Sequence, residues 1–224
     1  MASIALGGLG WYLWQSAGQV AQTAPSTPEN STASENNNES SESNNPDLLG
    51  HLPYEEAAPE DLKSIVSDNT IKLRAAAADA YLEMEGAARA DGVWLMPLSG
   101  FRSVEDQEYL FFEIKAQRGQ VPAQRAEVSA PPGHSEHHTG YAIDIGDADV
   151  PATHLSENFE NTAAFKWLQE NAAYYSFELS FPQDNPQNIA YEPWHWRFVG
   201  DRHSLETFYK ARELFEDGEN EELN

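Results

Sequence analysis

The sequence predicts an α+β domain in which a small antiparallel sheet is flanked by helices. Two observations predict it. Apolar residues recur at helical spacing in some stretches and as short runs of strand-forming residues in others, the two kinds in mixed order. A chain of 224 residues also has room for one domain of ordinary size with some length left over.

Taken in order, residues 1–21 read as an apolar membrane anchor or signal segment. The run from Ala2 to Trp14 is nearly unbroken in its apolarity. A helix of that length reaches roughly 20 Å, short of the roughly 30 Å hydrocarbon core. Extension to Ala21 adds only the neutral polar residues Gln15, Ser16 and Gln19, and Trp11, Tyr12 and Trp14 would serve as interfacial aromatics. A cleaved signal ending near Ala17–Ala21 and a merely sticky N-terminus are the alternatives. Residues 22–52 form an acidic, Ser/Asn-rich stretch with almost nothing apolar to bury, which predicts a disordered linker. The folded domain is expected over 53–216, followed by an acidic tail over 217–224.

Within the domain, residues 69–90 predict a helix, because Leu73, Ala76, Ala77, Ala80, Met84 and Ala87 share one face and Gly92 supplies the stop. A short apolar strand follows at 93–98. A second helix is expected over 103–118, with Ser103 as N-cap and Glu105 and Asp106 in its first turn. A strand at 142–145, a helix at 162–175 and strands at 177–181 and 195–199 come next, before a closing helix at 204–215.

Charge and composition exclude several functions. The net charge is −24, which repels phosphate backbones and argues against a nucleic-acid partner. There is no cysteine, so disulfides, Cys-rich zinc modules and thiol catalysis are ruled out.

The chemistry concentrates in three segments: Ser99–Gln107 (SGFRSVEDQ), Gly133–Asp147 (GHSEHHTGYAIDIGD) and Tyr191–Gly200 (YEPWHWRFVG). The second and third hold four of the seven histidines with several carboxylates. Imidazole and carboxylate suit zinc, which needs three protein ligands and one open position in a catalytic site. His137 and Asp144 lie an odd number of positions apart, so a straight strand would set them on opposite faces. Thr139-Gly140 supplies a bend between them. Glu192 and His195 pose the same problem, and Pro193 argues that the strand starts after it. Taken singly, each of these residues has an ordinary core or surface role open to it.

Together the three segments closely resemble the VanY-type D-alanyl-D-alanine carboxypeptidases, of the zinc peptidase group that includes VanX-type dipeptidases and the hedgehog signalling domain. The shared S-x-H-x-x-G-x-A-x-D pattern stands at Ser135–Asp144, E-P-W-H at Glu192–His195, and the upstream S-G-[FY]-R-S…Q element at Ser99–Gln107. The resemblance implies that His137, Asp144 and His195 hold one Zn²⁺ per chain. It makes Glu192 the proton-transfer residue, with Arg102, Gln107 and Ser135 reading the substrate and Arg102 aiding the chemistry. The implied substrate is a peptidoglycan stem peptide losing its terminal D-Ala. A monomer on the periplasmic side of a membrane, anchored by its N-terminus, is expected. Alternatives are an L,D-carboxypeptidase, a D,D-dipeptidase, an endopeptidase, or a non-catalytic zinc-stabilised domain that binds cell-wall peptide. One departure is His138, which stands where a neutral amide is common and is therefore a possible extra ligand. His134 is expected near the site or at the surface; His51, His154 and His203 are expected at the surface.

Overall fold

The computed structural model describes residues 50–118 and 130–214. The expectations for 1–21, for most of the linker and for the tail lie outside them. Among the described residues no helix is long and apolar enough to cross a membrane. The architecture is the expected α+β arrangement. A hairpin of β1 (Leu62–Ser64) and β2 (Lys72–Arg74) leads into α1 (Ala75–Ala90). Then follow β3 (Leu95–Ser99), α2 (Val104–Arg118), β4 (Ala142–Asp147), α3 (Ala163–Asn171), β5 (Phe177–Leu179), β6 (His195–Phe198) and α4 (Arg202–Thr207). The main sheet runs β3-β4-β6-β5, every pair antiparallel.

The first expected helix starts late, at Ala75 rather than near residue 69. Asn69 takes a left-handed φ of 60°, and the Asp68 carboxylate accepts from the Thr70 N–H, which makes a tight turn instead of a helix start. Beyond that turn Lys72–Arg74 pairs back onto Leu62–Ser64. Elsewhere the helix starts follow their caps. Ser103 accepts from the Asp106 N–H ahead of α2, Thr162 caps α3, and Asp201 forms a capping box with Ser204 on α4. The 162–175 helix is α only to Asn171 and tightens to a 3₁₀ turn over Ala172–Tyr175, ending at Ser176 with φ 61°.

Alternation along the strands divides the sheet into two buried faces. Ile143, Ile145, Phe177, Trp196 and Phe198 point into a core shared with Tyr81 and Met84 of α1 and Phe165 and Leu168 of α3. Each such side chain stabilises the fold by about 1.5–3 kcal/mol when buried. The opposite face carries Asp144, His195, Arg197 and Glu178, of which all but Glu178 are buried. β4 is accordingly buried along its whole length.

An extended segment ahead of the hairpin, Gly50–Ala57, straps this polar side. The Tyr54 N–H donates to Gly133 O (2.9 Å) and the Ala57 N–H to His138 O (2.8 Å). Gln187 Nε2 donates to Gly50 O (2.8 Å), and Glu56 accepts from the Val104 N–H (2.6 Å). His51 and Leu52, assigned by sequence to the linker, are buried here.

Candidate metal centre

Asp144 and His195 are direct cross-strand partners in the β4–β6 ladder, and Ser99 of β3 sits in register with Asp144 on the other side. Residues opposite one another share a face, so the sheet itself sets Asp144 beside His195. His137 arrives from a 3₁₀ turn, Glu136–Thr139, capped by the Ser135 hydroxyl, which accepts from the His137 N–H. The expected bend is there. Gly140 has φ 70°, and a Cβ would come within 3.0 Å of Leu62 and 3.1 Å of Arg74.

The three donor groups converge. His137 Nε2 is 3.3 Å from Asp144 Oδ2, His195 Nδ1 is 3.1 Å from Asp144 Oδ1, and all ligand atoms lie within 4.8 Å of one another. Zinc bonds of about 2.0–2.1 Å at tetrahedral angles set ligand atoms about 3.3 Å apart, so the donor set fits a zinc ion in type and in spacing. The tautomer of His137 fits as well. Its Nδ1 donates to Gly100 O at 2.7 Å, leaving the Nε2 lone pair facing Asp144. Burial lowers the pKa of His137 against the opposing pull of Asp144, which favours the neutral, ligating ring. Asp144 is held well below the usual carboxylate range, the cost of burial being outweighed by His137 and His195.

Glu192 closes one side. Pro193 and Trp194 form the turn before β6, across which the His195 N–H donates to Glu192 O (3.0 Å), and the Glu192 carboxylate is 3.8 Å from His195 Nδ1. Burial raises its pKa to about 7, against the positive charges of His195 and Arg102 and with the negative charges of Asp144 and Glu136. That places a carboxylate near the middle of the range in which it can both take and return a proton at neutral pH.

Arg102 is built in from two sides. Its guanidinium donates to Gln107 Oε1 (2.8 Å) and Ser99 Oγ (3.0 Å), and its charge acts on both His137 and Glu192. Gln107, expected to line the substrate site, is 1% exposed and also donates to Ala130 O (2.5 Å), so it grips Arg102 from behind. Ser135 is likewise buried, with its hydroxyl turned to the His137 backbone.

His138 is not a spare ligand. Both ring nitrogens are engaged: Nδ1 donates to Arg102 O (2.7 Å) and Nε2 accepts from the Gly133 N–H (3.1 Å). The Arg102 N–H in turn donates to His137 O, so the turn carrying His137 and the Arg102 loop are tied together at both Arg102 backbone groups. His134 bonds Pro132 O, while His51 is buried, unlike His203, which is exposed.

The residue that sequence reasoning missed is Glu136, buried at 3% exposure with Oε2 3.0 Å from His195 Nε2. In the Ser-Glu-His-His run it reads as one more surface acid. The only hint was the alternation of β6, which puts Arg197 on the same face as His195 and so calls for a buried counter-charge.

A cavity of about 300 Å³ elsewhere is lined by Tyr54, Glu56, Arg74, Thr139, His203 and Glu206. It contains none of the three candidate ligands, and Arg74, Glu56 and Glu206 already bond Asp61, the Val104 N–H and Arg202.

Comparison with known proteins points the same way. The VanY family model, described as D-alanyl-D-alanine carboxypeptidase, matches residues 70–201. YodJ of Bacillus subtilis (strain 168) is 40% identical over 133 residues, 58% of this chain and 47% of that protein. The D-alanyl-D-alanine carboxypeptidase of Enterococcus faecalis is 33% identical over 134 residues, 56% of this chain and 47% of that protein. The chain thus spans about half the length of these curated relatives. Among solved structures, the LdcB LD-carboxypeptidase superposes with a TM-score of 0.58 at 33% identity, covering 74% of this chain and 81% of that one. VanYB in complex with D-alanine-D-alanine gives 0.56 at 26% identity (74% and 93%). A mutant of the vancomycin-resistance D,D-pentapeptidase VanY in complex with Zn(II) gives 0.55 at 27% identity (73% and 94%).

Proposed function

Because the chain belongs to the VanY family of D-alanyl-D-alanine carboxypeptidases, we propose that it is a zinc peptidase that removes the terminal D-Ala from peptidoglycan stem peptides. The observation that supports this best is the meeting of three buried ligand groups with a half-buried carboxylate of raised pKa and a fixed guanidinium. His137 Nε2, Asp144 and His195 Nδ1 would hold one zinc ion per chain. When bound, zinc lowers the pKa of a coordinated water towards 7 and polarises a scissile carbonyl.

The protein's own groups do the rest. Glu192 accepts the proton of the attacking water and delivers it to the departing amine. Arg102 presents a planar, permanently charged fork to the developing oxyanion or to the substrate's terminal carboxylate. Gln107 and Ser99 keep that fork from swinging away, and Ser135 holds the turn that carries His137. We place the protein as a monomer on the extracytoplasmic side of a membrane, with residues 1–21 as its anchor.

A second reading is L,D-carboxypeptidase activity, favoured by the LdcB structure having the higher identity of the three superposed. Purified zinc-loaded protein should be incubated with a pentapeptide ending in D-Ala-D-Ala, a tetrapeptide and the free dipeptide. Release of one D-Ala from the pentapeptide alone is the expected result. Cleavage of the tetrapeptide alone selects the second reading. Cleavage of the dipeptide alone, or of nothing by a protein holding stoichiometric zinc, rejects both.

A further inference from the structure

Glu136 is a buried carboxylate that neither the ligand set nor the proton transfer uses. Four donors converge on it. Ser180 Oγ lies 2.6 Å and His195 Nε2 3.0 Å from Oε2; Arg197 Nη1 lies 2.8 Å and the Tyr54 hydroxyl 3.4 Å from Oε1. They come from three parts of the chain: the strap, the residue after β5, and β6. An ionised carboxylate is acceptor-only, with about four lone-pair sites, so each of the four groups must offer it a hydrogen.

For His195 that requirement has a consequence. A proton on Nε2 leaves the lone pair of the neutral ring at Nδ1, the nitrogen beside Asp144. We infer that Glu136 is a positioning residue that selects Nδ1 of His195 as the metal-facing nitrogen and holds the ring in that orientation. This rests on the zinc reading above. It assigns the two histidine ligands opposite nitrogens, His137 through Nε2 and His195 through Nδ1, each chosen by what its other nitrogen touches: a backbone carbonyl for one, a carboxylate for the other.

Arg197 makes the arrangement sustainable. It is 2% exposed and stands between Glu136 and Glu178, which it meets through Nε at 2.8 Å; Glu178 in turn lies 3.5 Å from Arg212. Alternating charges lead outward from beneath the ligand towards solvent, so Glu136 stays ionised and fully accepting in the interior. A carboxamide in its place would have one accepting oxygen and two donor hydrogens for the same four donors. An N–H turned to His195 would invert the ring, moving its proton to Nδ1 against the metal.

The test compares zinc affinity, by chelator competition, for the wild-type protein, Glu136→Gln and Ser180→Ala, with near-UV circular dichroism as the check on folding. Glu136→Gln should bind zinc about 10- to 100-fold more weakly, the usual effect of losing a group that orients a ligand. Ser180→Ala, which removes one neutral donor and leaves the charge, should stay within about threefold. Imidazole ¹⁵N shifts of the zinc-loaded wild-type protein should show His195 protonated at Nε2 and metal-bound at Nδ1. A folded Glu136→Gln protein with wild-type affinity overturns the inference, as does His195 ligating through Nε2. If Glu136→Gln fails to fold, the wild-type ¹⁵N spectrum alone decides. Failure of the wild-type protein to bind zinc overturns the zinc reading and this inference with it.

Discussion

Glu192 and His195 are joined by a single turn, yet one is assigned a proton and the other a metal, and substitution should separate the two jobs. Glu192→Gln keeps the shape and loses the basic oxygen. Zinc stoichiometry by metal analysis should be unchanged while kcat falls by about 10²- to 10⁴-fold; full activity would remove Glu192 from the mechanism. His138 allows a similar dissection. A Gln side chain can donate to Arg102 O and accept from the Gly133 N–H as the neutral imidazole does, so His138→Gln should leave both activity and stability nearly unaltered. His138→Leu can do neither. Each buried group left unpaired costs about 1–3 kcal/mol, to be read from urea unfolding. Zinc content should be the same in both variants; a drop in either would mean that His138 is a ligand after all. The proposed ligands, the proposed base and Arg102 could be named from the family resemblance that the three segments carry in order. Glu136 could not, because nothing in one sequence separates a carboxylate on a turn that faces solvent from one facing inward onto Arg197.

At the scale of elements, the site depends on two local irregularities between regular strands. The first is Gly140, whose left-handed backbone lets the turn carrying His137 fold back beside β4. Gly140→Ala should destabilise the protein by about 1–3 kcal/mol through backbone strain, with further loss from contact with Arg74 and Leu62. Chemical denaturation measures it, and an unchanged midpoint would show that the turn relaxes without cost. The second is the break at Pro193, after which β6 starts on a ligand. The sequence contained both bends, and also the alternation that gives the sheet an apolar and a polar side. What it did not contain was register. That Asp144 faces His195, and not a neighbour, is set by pairing between strands far apart in sequence. The β1–β2 hairpin was missed for a related reason. Strands of three residues carry too little alternation to stand out beside a neighbouring alanine-rich helix.

For the whole molecule, the sheet has few spare apolar contacts on its ligand side, since Asp144, His195, Arg197 and Glu136 occupy that interior. Zinc is therefore expected to contribute to folding as well as to chemistry. At free zinc about 100 times Kd, mass action adds about 2.7 kcal/mol, which for a domain of this size raises Tm by about 5–10 °C. Scanning calorimetry with and without a chelator measures the shift, and readdition of zinc should restore both Tm and activity. A Tm insensitive to zinc would mean the ligand groups do not act together. The strap at Gly50–Ala57 bears on the molecule in a different way. It lies outside the matched family region, 70–201, yet it meets Gly133, Gln187, Glu136 and His138, the last two of which flank His137. Mechanically, the strap and the active centre are coupled in series. A pull on the chain ahead of Gly50 loads the Gly50–Gln187 and Tyr54–Gly133 bonds before any helix or strand, so the first structure to yield under tension would be the frame of the site itself.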